Sequence, residues 1–179
     1  MTQAANTYAQ ALYDLAKDEN LDKQILSELD VLNQAFLQEP DYLRLLSVPN
    51  LPKAERCAIL DESFRDKVHI YVLNFLKILT EKGYLRQFDD CCKAFRTLYN
   101  TDHGILTVKA VTATALTEDQ SARLTEKLSG ITGKTIELVN QIDPAVLGGV
   151  RLDYDGKRVD GTVQNRLDSI GQMLKNTVL

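Results

Sequence analysis

One dipeptide near the carboxyl end, Asp155-Gly156, stands between two stretches in which apolar and charged residues alternate. Asp-Gly favours the two-residue turn of a β-hairpin, because both turn positions need a positive φ. This turn sets Leu152 opposite Val159 on one face of the hairpin. On the other face it pairs opposite charges, Asp153 with Arg158 and Arg151 with Asp160. Each such pair is worth roughly 0.2–1 kcal/mol, so the sequence predicts one hairpin in one register.

The amino-terminal half has a different period. From Gln3 to about Thr101 the apolar residues recur at helical spacing and predict about six helices. The segment from Val68 to Leu79 is apolar almost all round, with a polar gap at Asn74 and Lys77. A helix of that kind is typical of the centre of a bundle.

Near residues 100–104 the period changes from 3.6 to 2, which indicates a second domain. A strand is expected from Gly104 to Thr112, a helix opened by a capping box at Thr117, and a strand from Thr135 to Ile142. After the hairpin, a terminal amphipathic helix is predicted to carry Val163, Leu167, Ile170 and Leu174. The predicted fold is therefore α+β: a helical bundle in residues 1–101 and a β-α-β-β-β-α domain in residues 104–179.

Composition excludes several classes of function. The chain has 179 residues, 44% of them hydrophobic, and a formal net charge of −4, which argues against a nucleic-acid partner. The first fifteen residues lack the basic start and apolar block of a signal peptide, and no apolar run reaches the roughly 20 residues of a membrane span. We expect a cytosolic protein without direct membrane insertion.

The residues most often used in chemistry form no catalytic constellation. His69 and His103 have no ligand partners at suitable spacing, so we expect no metal site. Cys91 and Cys92 point about 100° apart on a helix, so one can be core and the other exposed, and packing is a better interpretation than a redox pair. Their roles, and that of Cys57, stay open. Gly148-Gly149 lacks the context of a phosphate loop, so a close backbone approach or a bulge is the better interpretation.

Two aspartates could be imagined as an acid–base pair. Cross-strand pairing to Arg151 and helix or turn capping explain Asp143 and Asp160 more simply. We therefore predict no enzymatic activity, no cofactor, and no tight nucleotide or metal binding.

The first helix has more apolar surface than one bundle needs. Its apolar positions cover roughly 200° of the helix, wider than the ~100° stripe of an ordinary surface helix. Part of this arc, at Tyr8, Ala11 and Leu15, is either covered by a neighbouring helix or offered to a partner. The pattern alone leaves both alternatives open.

The chain also resembles a known family over nearly its whole length. Tyr8-Ala9-x-Ala11-Leu12 and the run from Asn74 to Leu79, with Gly83, resemble the delta subunit of the bacterial rotary ATP synthase, which is related to the mitochondrial oligomycin sensitivity-conferring protein. The most specific part of the resemblance lies at the carboxyl end: Asp143, Pro144, Gly148, Gly149, Asp160, Gly161, Thr162 and Arg166. The family often has serine at position 162 and positive charges where Tyr84 and Gln164 stand.

The resemblance implies a non-catalytic stator subunit on the cytoplasmic face of the plasma membrane. The bundle would bind the N-terminal helix of the alpha subunit, and the second domain would meet the b subunits of the peripheral stalk. The expected alpha-binding groove lies between the first and central helices and consists of Tyr8, Ala11, Leu12, Leu15, Leu76, Ile78 and Leu79. The competing interpretation is a free-standing adaptor or regulator with a helical-bundle interaction domain.

Overall fold

The computed structural model describes residues 2–47, 51–146 and 148–162. The chain divides into two compact units, and the division falls between Tyr99 and Asn100. The first unit is helical and the second contains a sheet, as the change of period predicts. The fold class, α+β with a helical amino-terminal part, is confirmed for the described residues.

Six α-helices and one 3-10 turn make up the described part of the first unit. They are α1 (Gln3–Asp18), α2 (Asp22–Gln38), α3 (Pro40–Leu46), α4 (Lys53–Phe64), α5 (Ile70–Lys82), the 3-10 turn (Leu85–Gln87) and α6 (Phe88–Asp102). Pro40 occupies the first turn of α3, where the missing N–H of proline costs nothing. The aromatic rings of Phe36 and Phe88 meet edge to face at 5.1 Å in the core of this unit.

The central helix begins two residues later than its apolar pattern predicts. His69 is the N-cap of α5: its imidazole Nδ1 accepts a hydrogen bond of 3.3 Å from the backbone N–H of Tyr71. The backbone N–H of His69 donates to Glu28 Oε2 on α2 at 2.7 Å. His69 is thus held by its partners at the helix start, while Val68 precedes the helix.

Both of the adjacent cysteines lie in the core of the first unit. Cys91 and Cys92 are both buried, although they point to different sides of α6. The Cys92 thiol lies 3.8 Å from the carbonyl oxygen of Leu29 on α2. Because other parts of the unit pack against α6 on more than one side, the side chains of both cysteines are shielded from solvent.

The second unit has a four-stranded mixed sheet in its described part. Its elements are β1 (Ile105–Thr112), α7 (Glu118–Thr132), β2 (Thr135–Ile142), β3 (Val150–Tyr154) and β4 (Lys157–Asp160), and the strand order is β2-β1-β3-β4. Strands β1 and β2 are parallel, so the chain needs the crossover that α7 provides. Thr117 and Gln120 form the predicted capping box at the start of α7.

The predicted hairpin register is confirmed. Leu152 pairs with Val159, Asp153 with Arg158, and Arg151 with Asp160. Asp155 and Gly156 have φ of 44° and 71°, so both turn positions are left-handed as a tight hairpin turn requires. The predicted terminal helix, with Val163, Leu167, Ile170 and Leu174, and the signature residue Arg166 lie outside the described residues.

Candidate partner-binding surface

Helix α1 has an apolar stripe that the bundle leaves open. Tyr8, Ala11 and Leu15 are spaced at i, i+3 and i+7 and share one face. Ala11 is exposed, Leu15 is 41% exposed, and Tyr8 is half-buried. Leu12, by contrast, is buried in the core. The predicted arc is therefore divided between the core and solvent.

Helix α5 has a second open stripe. Ile70 is 54% exposed, Ile78 is 44% exposed, and Asn74 is exposed between them at helical spacing. Leu76 and Leu79 are fully buried. A partner that docks on the folded bundle can reach Ile78, but Leu76 and Leu79, like Leu12, face the inside of the bundle and support the surface from beneath.

Sequence reasoning overlooked Ile70 as a surface residue. Ile70, Asn74 and Ile78 follow one another at i, i+4 and i+8, which is the signal that could have found the stripe. The segment is so rich in apolar residues that its pattern does not single out this face.

The first half of α1 contacts the segment that follows α5. The Thr2 hydroxyl hydrogen-bonds the Gln87 side chain, and the rings of Tyr8 and Tyr84 lie 5.8 Å apart. Gly83 ends α5 in a left-handed conformation with φ of 77°. The Tyr84 backbone N–H then bonds back to the Leu79 carbonyl at 2.8 Å, which fixes the direction of the chain after the helix.

The two polar residues in the apolar helix α5, Asn74 and Lys77, have different surroundings. Lys77 Nζ forms an ion pair of 2.6 Å with Asp61 of α4, and both side chains are 27% exposed. Asn74 remains exposed. Lys77 therefore holds α5 against α4, and only Asn74 belongs to the open stripe.

The signature residues at the carboxyl end shape the backbone. Asp143 Oδ1 caps a turn by accepting from the Ala145 N–H at 3.0 Å. Asp160 Oδ1 accepts from the Thr162 N–H at 2.9 Å and from its hydroxyl at 2.6 Å, which lowers the pKa of the Asp160 carboxyl. These contacts agree with turn capping.

The glycines of the signature permit a close approach of two backbone segments. Gly149 has φ of 84°, and a Cβ there would lie 2.6 Å from the carbonyl oxygen of Gly161. The Gly161 N–H bonds to the Val150 carbonyl at 3.0 Å. Gly148, with φ of 147°, precedes this contact, and Pro144 lies in the turn that Asp143 caps.

The charges of the hairpin pair with one another. Arg158 Nε lies 2.7 Å from Asp153 Oδ1, and Arg151 Nε lies 3.6 Å from Asp153 Oδ2. A shallow cleft of about 550 Å³ lies over this part of the sheet, between Lys109 and Lys157. Both arginines contact the same aspartate, and the ion pair between Arg158 and Asp153 joins strand β4 to strand β3.

Within residues 2–47, 51–146 and 148–162, no group of three or more His, Cys, Asp or Glu side chains could hold a metal ion. In the same residues no helix has the length and apolar character needed to cross a bilayer.

Burial raises the pKa of the Cys91 thiol to about 11, and it raises the pKa values of the Cys92 and Cys57 thiols as well. The thiol form therefore dominates at all three positions near neutral pH.

The family model described as "ATP synthase delta (OSCP) subunit" matches residues 4–174. The chain belongs to this family. The resemblance found in the tyrosine–alanine and double-glycine motifs is thus confirmed. Among members of the family, the ATP synthase subunit delta of Lactobacillus johnsonii is 34% identical over 173 residues, which cover 96% of this chain and 94% of that protein. The ATP synthase subunit delta of Alkaliphilus oremlandii is 32% identical over 172 residues, 96% of each chain.

A solved structure has the same fold. A chain in the cryo-EM structure of the Toxoplasma gondii mitochondrial ATP synthase hexamer aligns with a TM-score of 0.76 at 19% identity, covering 97% of this chain and 98% of that one. The two chains therefore share a fold, although about four of five aligned residues differ.

Proposed function

We propose that this chain is a non-catalytic stator subunit of a proton-driven rotary ATP synthase. It links the catalytic head to the peripheral stalk, so that the torque of the rotor drives ATP synthesis. Membership of the delta (OSCP) family carries this proposal. In such a machine the head must be held still, because a head that turned with the rotor would make no ATP.

The helical unit is proposed to bind the N-terminal helix of the alpha subunit. The open stripe of α1, Tyr8, Ala11 and Leu15, and the exposed Ile78 of α5 support this assignment. Amphipathic helices bind in grooves by apolar anchors spaced along one face, and small residues such as Ala11 allow close approach. Leu12, Leu76 and Leu79 contribute by keeping the two helices rigid from within.

The sheet unit is proposed to meet the b subunits of the peripheral stalk. The division of the chain into a helical and a sheet unit supports a division of the two tasks. The complex would lie on the cytoplasmic face of the plasma membrane, where this chain is peripheral and reaches the bilayer only through other subunits.

Co-purification tests the proposal. A tagged copy of the full chain, expressed in its own cells, should recover alpha and b subunits from membranes solubilised in mild detergent. A tagged copy with Ala11→Glu serves as the matched variant and should recover less of the head. Recovery of neither subunit by the unaltered chain would favour the free-standing adaptor, and a metabolite that raises its melting temperature would strengthen that alternative.

A further inference from the structure

A cleft of about 350 Å³ opens between α3, α4 and the turn that follows α5. Two arginines line it, Arg56 from α4 and Arg86 from the 3-10 turn. Leu46 and Leu85 add apolar walls, and Ser47 and Thr80 add hydroxyl groups. Helix packing thus brings together two guanidinium groups that are 30 residues apart in sequence.

The hydrogen bonds of Arg56 are incomplete. Its Nη1 donates to the Leu46 carbonyl oxygen at 3.3 Å, a long bond. Its Nε is shielded from solvent and has no acceptor. A buried donor without a partner is costly, so an added acceptor at this side chain would be favourable.

The cleft has charge of one sign. None of the described residues that line it is an aspartate or glutamate, while the chain as a whole has a formal charge of −4. The two hydroxyl groups donate to helix carbonyls, Ser47 to Leu43 at 2.6 Å and Thr80 to Leu76 at 2.8 Å. Among the side-chain donors that line the cleft, the guanidinium N–H groups are therefore the ones available to bind an anion. A planar guanidinium matches a carboxylate particularly well.

The cleft lies next to the turn that contacts Tyr8 of the open stripe on α1. Tyr84 packs against Tyr8 of α1, whereas its neighbours Gly83 and Leu85 line the cleft. One short turn thus connects the two features. A segment bound along α1 and α5 could place its end over the arginines.

We propose that Arg56 and Arg86 bind an acidic side chain of the head segment that docks along α1 and α5. This inference rests on the proposed function. It adds a charged anchor to the apolar contacts proposed for the exposed residues of α1 and α5. The partner segment should accordingly contain at least one Asp or Glu beyond its apolar face, and a segment without any would overturn the proposal.

Calorimetry with two peptides tests this anchor. One is a synthetic peptide of the alpha subunit N-terminal segment from the same genome, and the other is a copy in which every Asp and Glu is replaced by Asn and Gln. The full-length chain should bind the neutralised copy about fivefold or more weakly, as expected for a charged hydrogen bond at a partly exposed site. In Arg56→Gln and Arg86→Gln variants the difference between the two peptides should shrink.

A matched control and a conservative variant sharpen the result. Lys53→Gln removes one exposed charge from the same helix as Arg56 but outside the cleft, and it should preserve the difference. Arg56→Lys retains charge without the planar fork and should give an intermediate value. Arg86 is exposed, so its variant tests the anchor even where Arg56→Gln disturbs the fold; circular dichroism checks both.

The outcomes separate the two proposals. A natural peptide that does not bind the unaltered chain overturns the proposed function, and the anchor with it. The natural peptide can also bind while neutralisation of its acidic residues weakens binding equally in the unaltered chain and in both arginine variants. That result overturns the anchor alone.

Discussion

Gly149 faces Gly161 so closely that a Cβ at position 149 would lie 2.6 Å from the Gly161 carbonyl oxygen. The obstacle is backbone on both sides, so no side-chain rotation can relieve it. The φ of 84° at Gly149 adds strain for any other residue. We expect Gly149→Ala to lower the free energy of unfolding by about 2 kcal/mol or more, measured by urea denaturation.

Gly130 offers a matched control for that substitution. It lies in α7, and a Cβ there would meet nothing within 4 Å. Gly130→Ala should raise the free energy of unfolding by about 0.5–1 kcal/mol, because alanine favours the helix. Equal effects at positions 149 and 130 would contradict the close approach.

The exposed stripe on α1 gives a binding prediction. Ala11→Glu places a bulky charge between Tyr8 and Leu15, so the affinity for an alpha N-terminal peptide should fall by about tenfold or more. Gln10→Glu adds the same charge about 100° around the helix, on the polar side, and should bind as the unaltered chain does. Unchanged affinity of Ala11→Glu in calorimetry would remove this stripe from the interface.

Burial of the cysteines predicts a strong contrast in thiol reactivity. Only the thiolate attacks a disulfide reagent, and burial raises the pKa of Cys91 to about 11 and that of Cys92 in the same direction. In the folded chain at pH 8, Cys57, which is only partly buried, should react first, while the other two should react at the rate of unfolding. In denaturant all three should react alike. Rapid reaction of Cys91 or Cys92 in the folded chain would contradict their burial.

The hairpin ion pair predicts a response to acid. A hydrogen bond from Arg158 lowers the pKa of the Asp153 carboxyl, and the charges of Arg158 and Arg151 act in the same direction. Because the pKa is lower in the folded chain, the stabilisation is present above about pH 4, the unfolded value, and is lost as the pH falls through the folded value. Asp153→Asn and Arg158→Gln should each flatten the acid side of the stability curve, and the double variant should add little to either. Additive effects would show that the two side chains act independently.

The boundary near Asn100 predicts that the two tasks can be separated. A chain that ends after residue 103 retains all of α1 to α6 and should stay helical by circular dichroism. It should bind the alpha peptide and lose the b subunits, and membranes that carry it should leak protons without making ATP. Binding of the b subunits at the affinity of the full chain would place that contact in the helical unit.

Local rules predicted the hairpin correctly because its information is local. Asp155-Gly156 fixes the turn, and the neighbouring charges permit only one register. The groove residues depend instead on how helices pack. Leu12 and Ala11 are adjacent on an over-wide apolar arc, and only the neighbouring helices decide that one is buried and the other exposed.

The remaining differences have the same physical origin. The period of α6 separates Cys91 from Cys92 by about 100°, but it cannot reveal that neighbours cover both directions. Arg56 and Arg86 belong to no motif, because the cleft that joins them exists only after α3, α4 and α5 have packed. Sequence therefore predicted the elements well and their shared surfaces poorly.

The sheet order β2-β1-β3-β4 also has a consequence for biosynthesis. Strand β1 lies inside the sheet, yet both of its neighbours follow it in the chain, β2 after the α7 crossover and β3 later still. Non-local pairing of this kind is slow compared with the formation of helices, and domains form in the order in which they leave the ribosome. The helical unit can thus complete its core while the sheet unit is still being translated. If the proposed contacts are correct, a nascent chain acquires its binding surface for the head before the unit proposed to meet the stalk has been made.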